Sequence, residues 1–115
     1  MSPAKQLLTK LRELSTCEED DSLLINKVWI CVEVLRPSLI KLNSIISEQP
    51  GRGYGNQIMS SLINYADIFK VDIELQAEPF GHRTLTRMQL ITWYRKFGFF
   101  CDNNKDNFAL TRLYK

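Results

Sequence analysis

The chain has no strong excess of charge, no cysteine framework and no long apolar run, and each absence removes a class of protein. Fifteen Lys and Arg against thirteen Asp and Glu leave a formal net charge of +2, far from the basic excess of a dedicated nucleic-acid binder. The three cysteines, Cys17, Cys31 and Cys101, are odd in number and stand at no metal-ligand spacing. They are expected to be reduced, buried thiols of a cytoplasmic protein, and no metal site is expected. The opening MSPAKQLLTK lacks the apolar stretch of a secretory signal. No apolar segment approaches the roughly 20 residues of a membrane span. Repeats and low-complexity tracts are absent.

What remains is ordinary for a globular protein: 115 residues, 44% hydrophobic and 24% charged. That is enough for one domain over residues 1–115, with a core that needs no disulfide or metal staple. Ser2-Pro3 opens a helix over 3–15, a capping hydroxyl before proline at the first helical position, with Ala4, Leu7, Leu8, Leu11 and Leu14 on one face. Glu18 to Asp21 reads as a solvated loop. Leu23 to Ile25, the pair Asn26-Lys27, and Val28 to Leu35 read as a hairpin rich in β-branched and aromatic residues. Arg36-Pro37 breaks it, and Ser38 to Ser47 adds a third antiparallel strand.

Beyond GRGYGN (Gly51 to Asn56) the apolar period changes from two to about 3.6. Ile58, Met59, Leu62, Ile63, Ala66 and Phe69 form the stripe of a helix from Tyr54 to Lys70. Val71 to Gln76 alternates as a strand, and Pro79 to Arg83 is a loop. Thr86 with Gln89 makes a capping box for a second helix, running to about Phe97 and stopped by Gly98. Phe99 to Cys101 and Asn107 to Tyr114 close with a hairpin around DNNKD. Only the strand–GRGYGN–helix–strand unit is a βαβ crossover. The expectation is an α/β fold with an α+β-like mixed sheet: an antiparallel meander, one crossover, a second helix and a C-terminal hairpin.

Strand, glycine loop and helix N-terminus form a phosphate-binding arrangement, because the backbone can come close and free N–H groups point outward. A tight turn that binds nothing is the plainer alternative. Two nucleotide motifs are excluded by residues. A P-loop needs Gly-Lys followed by Ser or Thr, which is missing. A dinucleotide fingerprint needs an acid at the far end of the next strand, whereas Asp72 lies at its start.

The segment SIISEQPGRGYGNQIMSSLINYAD, followed later by LITWYRKFGF, resembles the GNAT family, the Gcn5-related N-acetyltransferases, over about Val28 to Tyr114. The family signature, Gln/Arg-x-x-Gly-x-Gly/Ala at a strand–helix junction, is matched by Gly53-Tyr54-Gly55 with Arg52 just before it; its Gln/Arg position falls on Pro50. The second hallmark, a Tyr shortly before Lys-x-Gly-Phe, is matched by Tyr94, Lys96, Gly98 and Phe99.

The resemblance implies acetyl-CoA as cosubstrate and an amine acceptor, protein lysine or small molecule, that attacks the thioester directly. It implies the CoA diphosphate on the backbone of Arg52, Gly53, Tyr54, Gly55, Asn56 and Gln57, and the pantetheine arm beside Ile45, Ile46 and Ser47. Arg87 stands where many members have an Asn touching CoA. Tyr94 is the expected general acid for the departing thiolate. Glu33 is the first candidate for general base, ahead of Glu48 and Glu74, with water relays as an alternative. His82 in PFGHRT titrates in the useful range but reads as a surface residue. Arg83, Arg87, Arg95 and Lys96 are either phosphate contacts or a solvated helix face. In this family the segment before the meander borders the acceptor cleft, so Glu18 to Asp21 is a candidate attractor for a cationic acceptor. Homodimer formation stays open. Competing readings are a catalytically inactive CoA sensor or interaction scaffold, and an RNA-binding module, which a single Arg-Gly unit and little basic excess disfavour.

Overall fold

The computed structural model describes residues 1–77, 85–101 and 109–115. Helix α1 (Pro3–Leu14) begins as its sequence dictates: the Ser2 hydroxyl accepts a hydrogen bond from the Lys5 N–H at 3.3 Å, and Pro3 sits where no N–H is needed. Ala4, Leu7 and Leu11 are buried, while Leu14, on the last turn, is exposed. The Ala4 N–H donates to Pro37 O at 2.8 Å, fixing the start of α1 to the sheet.

The acidic run expected as a loop is instead part of a hairpin. Strand β1 (Cys17–Glu19) pairs antiparallel with β2 (Ser22–Ile25) around Asp20 and Asp21. All three β1 residues are exposed, so no alternation marks this edge strand in the sequence, and its glutamates discourage pairing with another chain. Cys17 is consequently exposed rather than buried, and Cys31 and Cys101 are half-buried; all three are free thiols.

Strands β3 (Val28–Arg36) and β4 (Leu39–Ser47) complete the meander. Asn26 and Lys27, in the β2–β3 turn, are left-handed at φ 47° and 68°, the geometry that matches the twist of paired strands. Helix α2 (Tyr54–Phe69) buries Ile58, Met59, Leu62 and Ala66 and ends at a left-handed Lys70. Strand β5 (Asp72–Gln76) then runs parallel to β4, the one crossover in an otherwise antiparallel sheet.

Helix α3 (Arg87–Arg95) carries the expected capping box. The Thr86 hydroxyl accepts from the Gln89 N–H at 3.2 Å, and the Gln89 side chain accepts from the Thr86 N–H at 2.8 Å. It stops before the expected Phe97 because the N–H groups of Phe97 and Gly98 turn back three residues to Tyr94 O and Arg95 O. Strands β6 (Phe100–Cys101) and β7 (Ala109–Arg112) pair antiparallel. The expected loop at Pro79 to Arg83, with His82 and Arg83, and the DNNKD tip lie outside the described residues.

The sheet order is β1-β2-β3-β4-β5-β7-β6, one strand more than the sequence suggested. Lateral pairing assigns its two faces. Val32, Leu42, Leu75, Leu110 and Cys101 lie in one row and face the helices; Glu33, Lys41, Glu74, Thr111 and Phe100 lie in another and face away. All three helices contribute to a single core cluster, and the short dimension of 23 Å is that of one sheet and one helix layer. Each fully buried aliphatic side chain there stabilises the fold by about 2 kcal/mol.

Arg112, on the helix face, is the charged residue of this core. Its guanidinium donates to both carboxylate oxygens of Asp67 on α2, at 2.8 and 3.0 Å, and its Nε donates to Phe97 O at 2.8 Å. Sheet, α2 and the end of α3 are therefore joined through one side chain. Among the described residues no helix is long and apolar enough to cross a membrane.

Candidate functional site

Strands β4 and β5 separate midway. Their pairing runs from Leu39–Asp72 to Leu42–Leu75 and stops, although β4 continues to Ser47. The cause is Asn43. Cys31 faces Ser44 and Val32 faces Leu42, so Asn43 is an extra residue in β4. A bulge bends and twists the strand that carries it, and β4 continues past Leu42 in its pairing with β3. The residues expected beside a pantetheine arm, Ile45, Ile46 and Ser47, all lie in this diverging segment. Ile45 is buried in the core and Ile46 is 41% exposed. The Ser47 hydroxyl accepts from the Gln49 N–H at 3.1 Å.

Beyond Ser47 the chain enters the glycine turn. Gly51 and Gly53 have φ of +83° and +81°, and nothing lies within 4 Å of where a Cβ would stand. Both positions need glycine for backbone conformation rather than for lack of room. Gly53 caps α2 without a side-chain hydrogen bond, and the first turn holds no acidic residue. The helix pattern leaves the N–H groups of Tyr54, Gly55 and Asn56 without intrahelical acceptors. The Gln57 N–H, expected among the ligand donors, closes the first turn onto Gly53 O at 3.2 Å. Arg52 is exposed at the rim.

Two long-range contacts set the walls of this turn. On one side the Trp93 indole N–H donates to Asn56 Oδ1 at 2.6 Å, and Trp93 Cζ2 comes within 3.9 Å of a Cβ built on Gly55. On the other, Asn26 Nδ2 donates to Gln57 Oε1 at 3.0 Å, and the Glu48 N–H donates to Lys27 O at 2.8 Å. The Lys27 ammonium stands 5.3 Å from the ring centre of Tyr54, the first residue of α2.

Tyr94 follows Trp93 on α3 and is 3% exposed. Its ring meets those of Trp93 and Phe99 edge-on, at 5.0 and 5.6 Å between centroids. Gly98 takes φ +93°, and a Cβ there would come within 3.3 Å of the Arg112 Nε. The Lys-x-Gly-Phe run is thus the turn that returns the chain from α3 to the sheet beneath Tyr94. Arg87 is half-buried at the first position of α3; Arg95 and Lys96 are exposed at its end.

The candidate bases are dispersed. Glu33 lies on the outer row and accepts from Asn43 Nδ2 at 3.4 Å. The Glu48 carboxylate accepts from the Trp29 indole N–H at 3.2 Å. Glu74 lies on the outer face between Lys41 and Thr111. A groove of about 350 Å³ at the corner of α1, the β1–β2 hairpin and β3 has Leu8, Leu23 and Val32 as apolar lining, with Glu18, Asp21 and Glu33 as acids, and reaches Asn43. Arg12 pairs with Glu18 there at 3.3 Å, leaving the acids in excess.

Asn43, Trp93 and the Asn26-Lys27 turn were missed in the sequence as site residues. Asn43 did leave a signal: the apolar spacing Ile40, Leu42, Ile45 lengthens from two to three across it. The docking of Lys27 left none, because it depends on which strand ends beside α2.

No protein-family model matches the chain, and no curated protein matches it. Solved structures do. The anti-CRISPR protein AcrVA5 aligns at TM-score 0.66 and 18% identity, over 78% of this chain and 94% of that one. Ard1 from Thermoplasma volcanium aligns at TM-score 0.59 and 12% identity, over 96% and 80%. A Bacillus subtilis acetyltransferase in complex with CoA aligns at TM-score 0.52 and 17% identity, over 98% and 86%. Sheet order, the single parallel pair and the glycine-led helix agree with that likeness: the chain has the fold of the GNAT acetyltransferases.

Proposed function

We propose that the chain is an acetyl-CoA-dependent N-acetyltransferase. The observation that carries this reading is the run of β4 beyond its ladder with β5 into an α2 N-terminus with no side-chain cap. An extended polar arm ending in a diphosphate suits that pair of features: strand-like backbone for the arm, outward N–H groups of Tyr54 to Asn56 for the anion. The fold is shared with an acetyltransferase in complex with CoA.

In the reaction the acceptor amine attacks the thioester carbonyl, a C–N bond forms and the C–S bond breaks. The thiolate takes the Tyr94 phenolic proton, and the proton lost by the amine goes to Glu33, directly or through water. Tyr94 belongs to the helix-side core and Glu33 to the outer row. The two roles then lie on opposite faces, and the split is where the faces communicate. The acceptor enters by the groove of Glu18, Asp21 and Glu33, whose carboxylates and apolar lining favour an aliphatic cation such as a lysine side chain or polyamine. Tyr94 replenishes its proton from solvent after each turnover.

The test is thermal stability with acetyl-CoA and with free CoA, followed by mass spectrometry of lysine-peptide and polyamine acceptors. At a hundred times Kd the ligand stabilises by about 2.7 kcal/mol, a rise in Tm of roughly 10 °C for a domain of this size. No shift with either nucleotide refutes the site. A shift without any +42 Da product, a value fixed by acetyl chemistry at about that mass, favours the CoA-sensor reading.

A further inference from the structure

We propose that Lys27 is a diphosphate-binding residue of this site, an ammonium carried to the α2 N-terminus by the β2–β3 turn. The proposal rests on acetyl-CoA being the cosubstrate and adds a residue from outside the glycine loop.

Three observations lead to it. First, the position of Lys27 is built. The Asn26 amide donates to the Gln57 side chain at 3.0 Å, the Glu48 N–H donates to Lys27 O at 2.8 Å, and the ammonium lies 5.3 Å from the Tyr54 ring centre. A hairpin tip and the first helical turn are thereby fastened together, with the cation at the seam. Second, the charge there is uncompensated. A cation beside a helix N-terminus is opposed by the helix dipole, α2 has no acid in its first turn, and no carboxylate among the described residues pairs with Lys27 or Arg52. The nearby Glu48 carboxylate faces the Trp29 indole instead. Third, Lys27 occupies the second central position of its turn at φ 68°, where glycine is favoured. A lysine at a position that favours glycine, on a seam already positive, fits a dianion that arrives from solution. Tyr54 supplies both the ring beside the Lys27 ammonium and the first N–H of the helix. A diphosphate lying between Lys27 and the N–H groups of Tyr54 to Asn56 would receive a charge-assisted hydrogen bond from one side and backbone bonds from the other.

Calorimetric titration of the full chain with CoA and with 3′-dephospho-CoA tests this. Lys27→Gln is expected to weaken both ligands alike, by about tenfold, the effect of losing one charge-assisted hydrogen bond. Lys27→Arg retains most of the affinity. Lys27→Gly raises the ligand-free Tm, by relieving the left-handed lysine, while weakening both ligands as Gln does. Equal affinity of wild type and Lys27→Gln overturns the role of Lys27 and leaves the cosubstrate intact. A loss confined to CoA overturns the diphosphate assignment in favour of the 3′-phosphate. A wild-type chain that binds neither ligand overturns the acetyl-CoA reading itself, and the role of Lys27 with it.

Discussion

Removing the Asp67 carboxylate isolates Arg112, the buried charge among the described residues. The Arg112 side chain is only 4% exposed and that of Asp67 28%. Asp67→Ala leaves the guanidinium in place, with Phe97 O still accepting from Nε and no counter-charge. Breaking a buried pair from one side costs about 3–5 kcal/mol, and water reaching the Asp67 side places the expected loss near 3 kcal/mol. For a chain of this length that lowers Tm by roughly 12 °C. Arg112→Met, which orphans only the partly exposed Asp67 carboxylate, costs less, and the double variant costs little more than Arg112→Met alone, since Asp67 then has only the Lys115 N–H to lose. The pH dependence has a definite sign. The Arg112 hydrogen bonds hold the Asp67 carboxyl below its ordinary value of 3.8, against the opposing effect of burial and with help from the Lys115 N–H. A lowered folded-state value means that the stabilisation is complete above the ordinary value and is lost as pH falls through the lowered one. Urea melts at pH 7 and across the acid range measure both. A loss under 1 kcal/mol at pH 7, or a gap between wild type and Asp67→Ala that closes well above pH 3.8, would refute the view of Arg112 as a buried joint.

Three other substitutions address the site. Tyr94→Phe keeps the ring contacts with Trp93 and Phe99 and removes only the proton donor; turnover is expected to fall at least about a hundredfold with acetyl-CoA affinity unchanged, as steady-state kinetics and titration together will show. Gly53→Ala meets no atom within 4 Å yet forces alanine to φ +81°; it should cost about 1 kcal/mol of stability in a denaturant melt. Glu18→Gln combined with Asp21→Asn should raise the KM for a cationic acceptor at low ionic strength and lose that effect in high salt, where screening removes the attraction; an unchanged KM at low salt would detach the groove from the acceptor.

The fold was legible where the signal is local. The Ser2-Pro3 start, the Thr86/Gln89 box and the change of period at GRGYGN each depend on residues within one or two turns, and the helices begin there. Strand β1 was not legible, because an all-exposed edge strand buries no alternate residue. The glycine turn and the WYRKFGF end were visible as motifs. That Trp93 joins them by a hydrogen bond to Asn56 is a contact across 37 residues, beyond the reach of any periodicity. The Asp67–Arg112 pair spans 45 residues, and a sequence shows two ordinary charges. The opening between β4 and β5 was half visible, in the broken spacing at Asn43, but its meaning requires knowing that β5 lies alongside.

That inserted residue has a consequence for how such a protein can change over time. The register shift exists because one strand carries an additional backbone unit, so it is set by the count of residues and not by any particular side chain. Leu42 and Ile45 stay in the core only while the count of residues between them is kept. Deleting Asn43 would shift Ser44 to Ser47 by one place against β3 and turn Ile45 from the core to the other face. Insertions or deletions between Leu42 and Ile45 should therefore be far less tolerated than exchanges of the exposed Asn43.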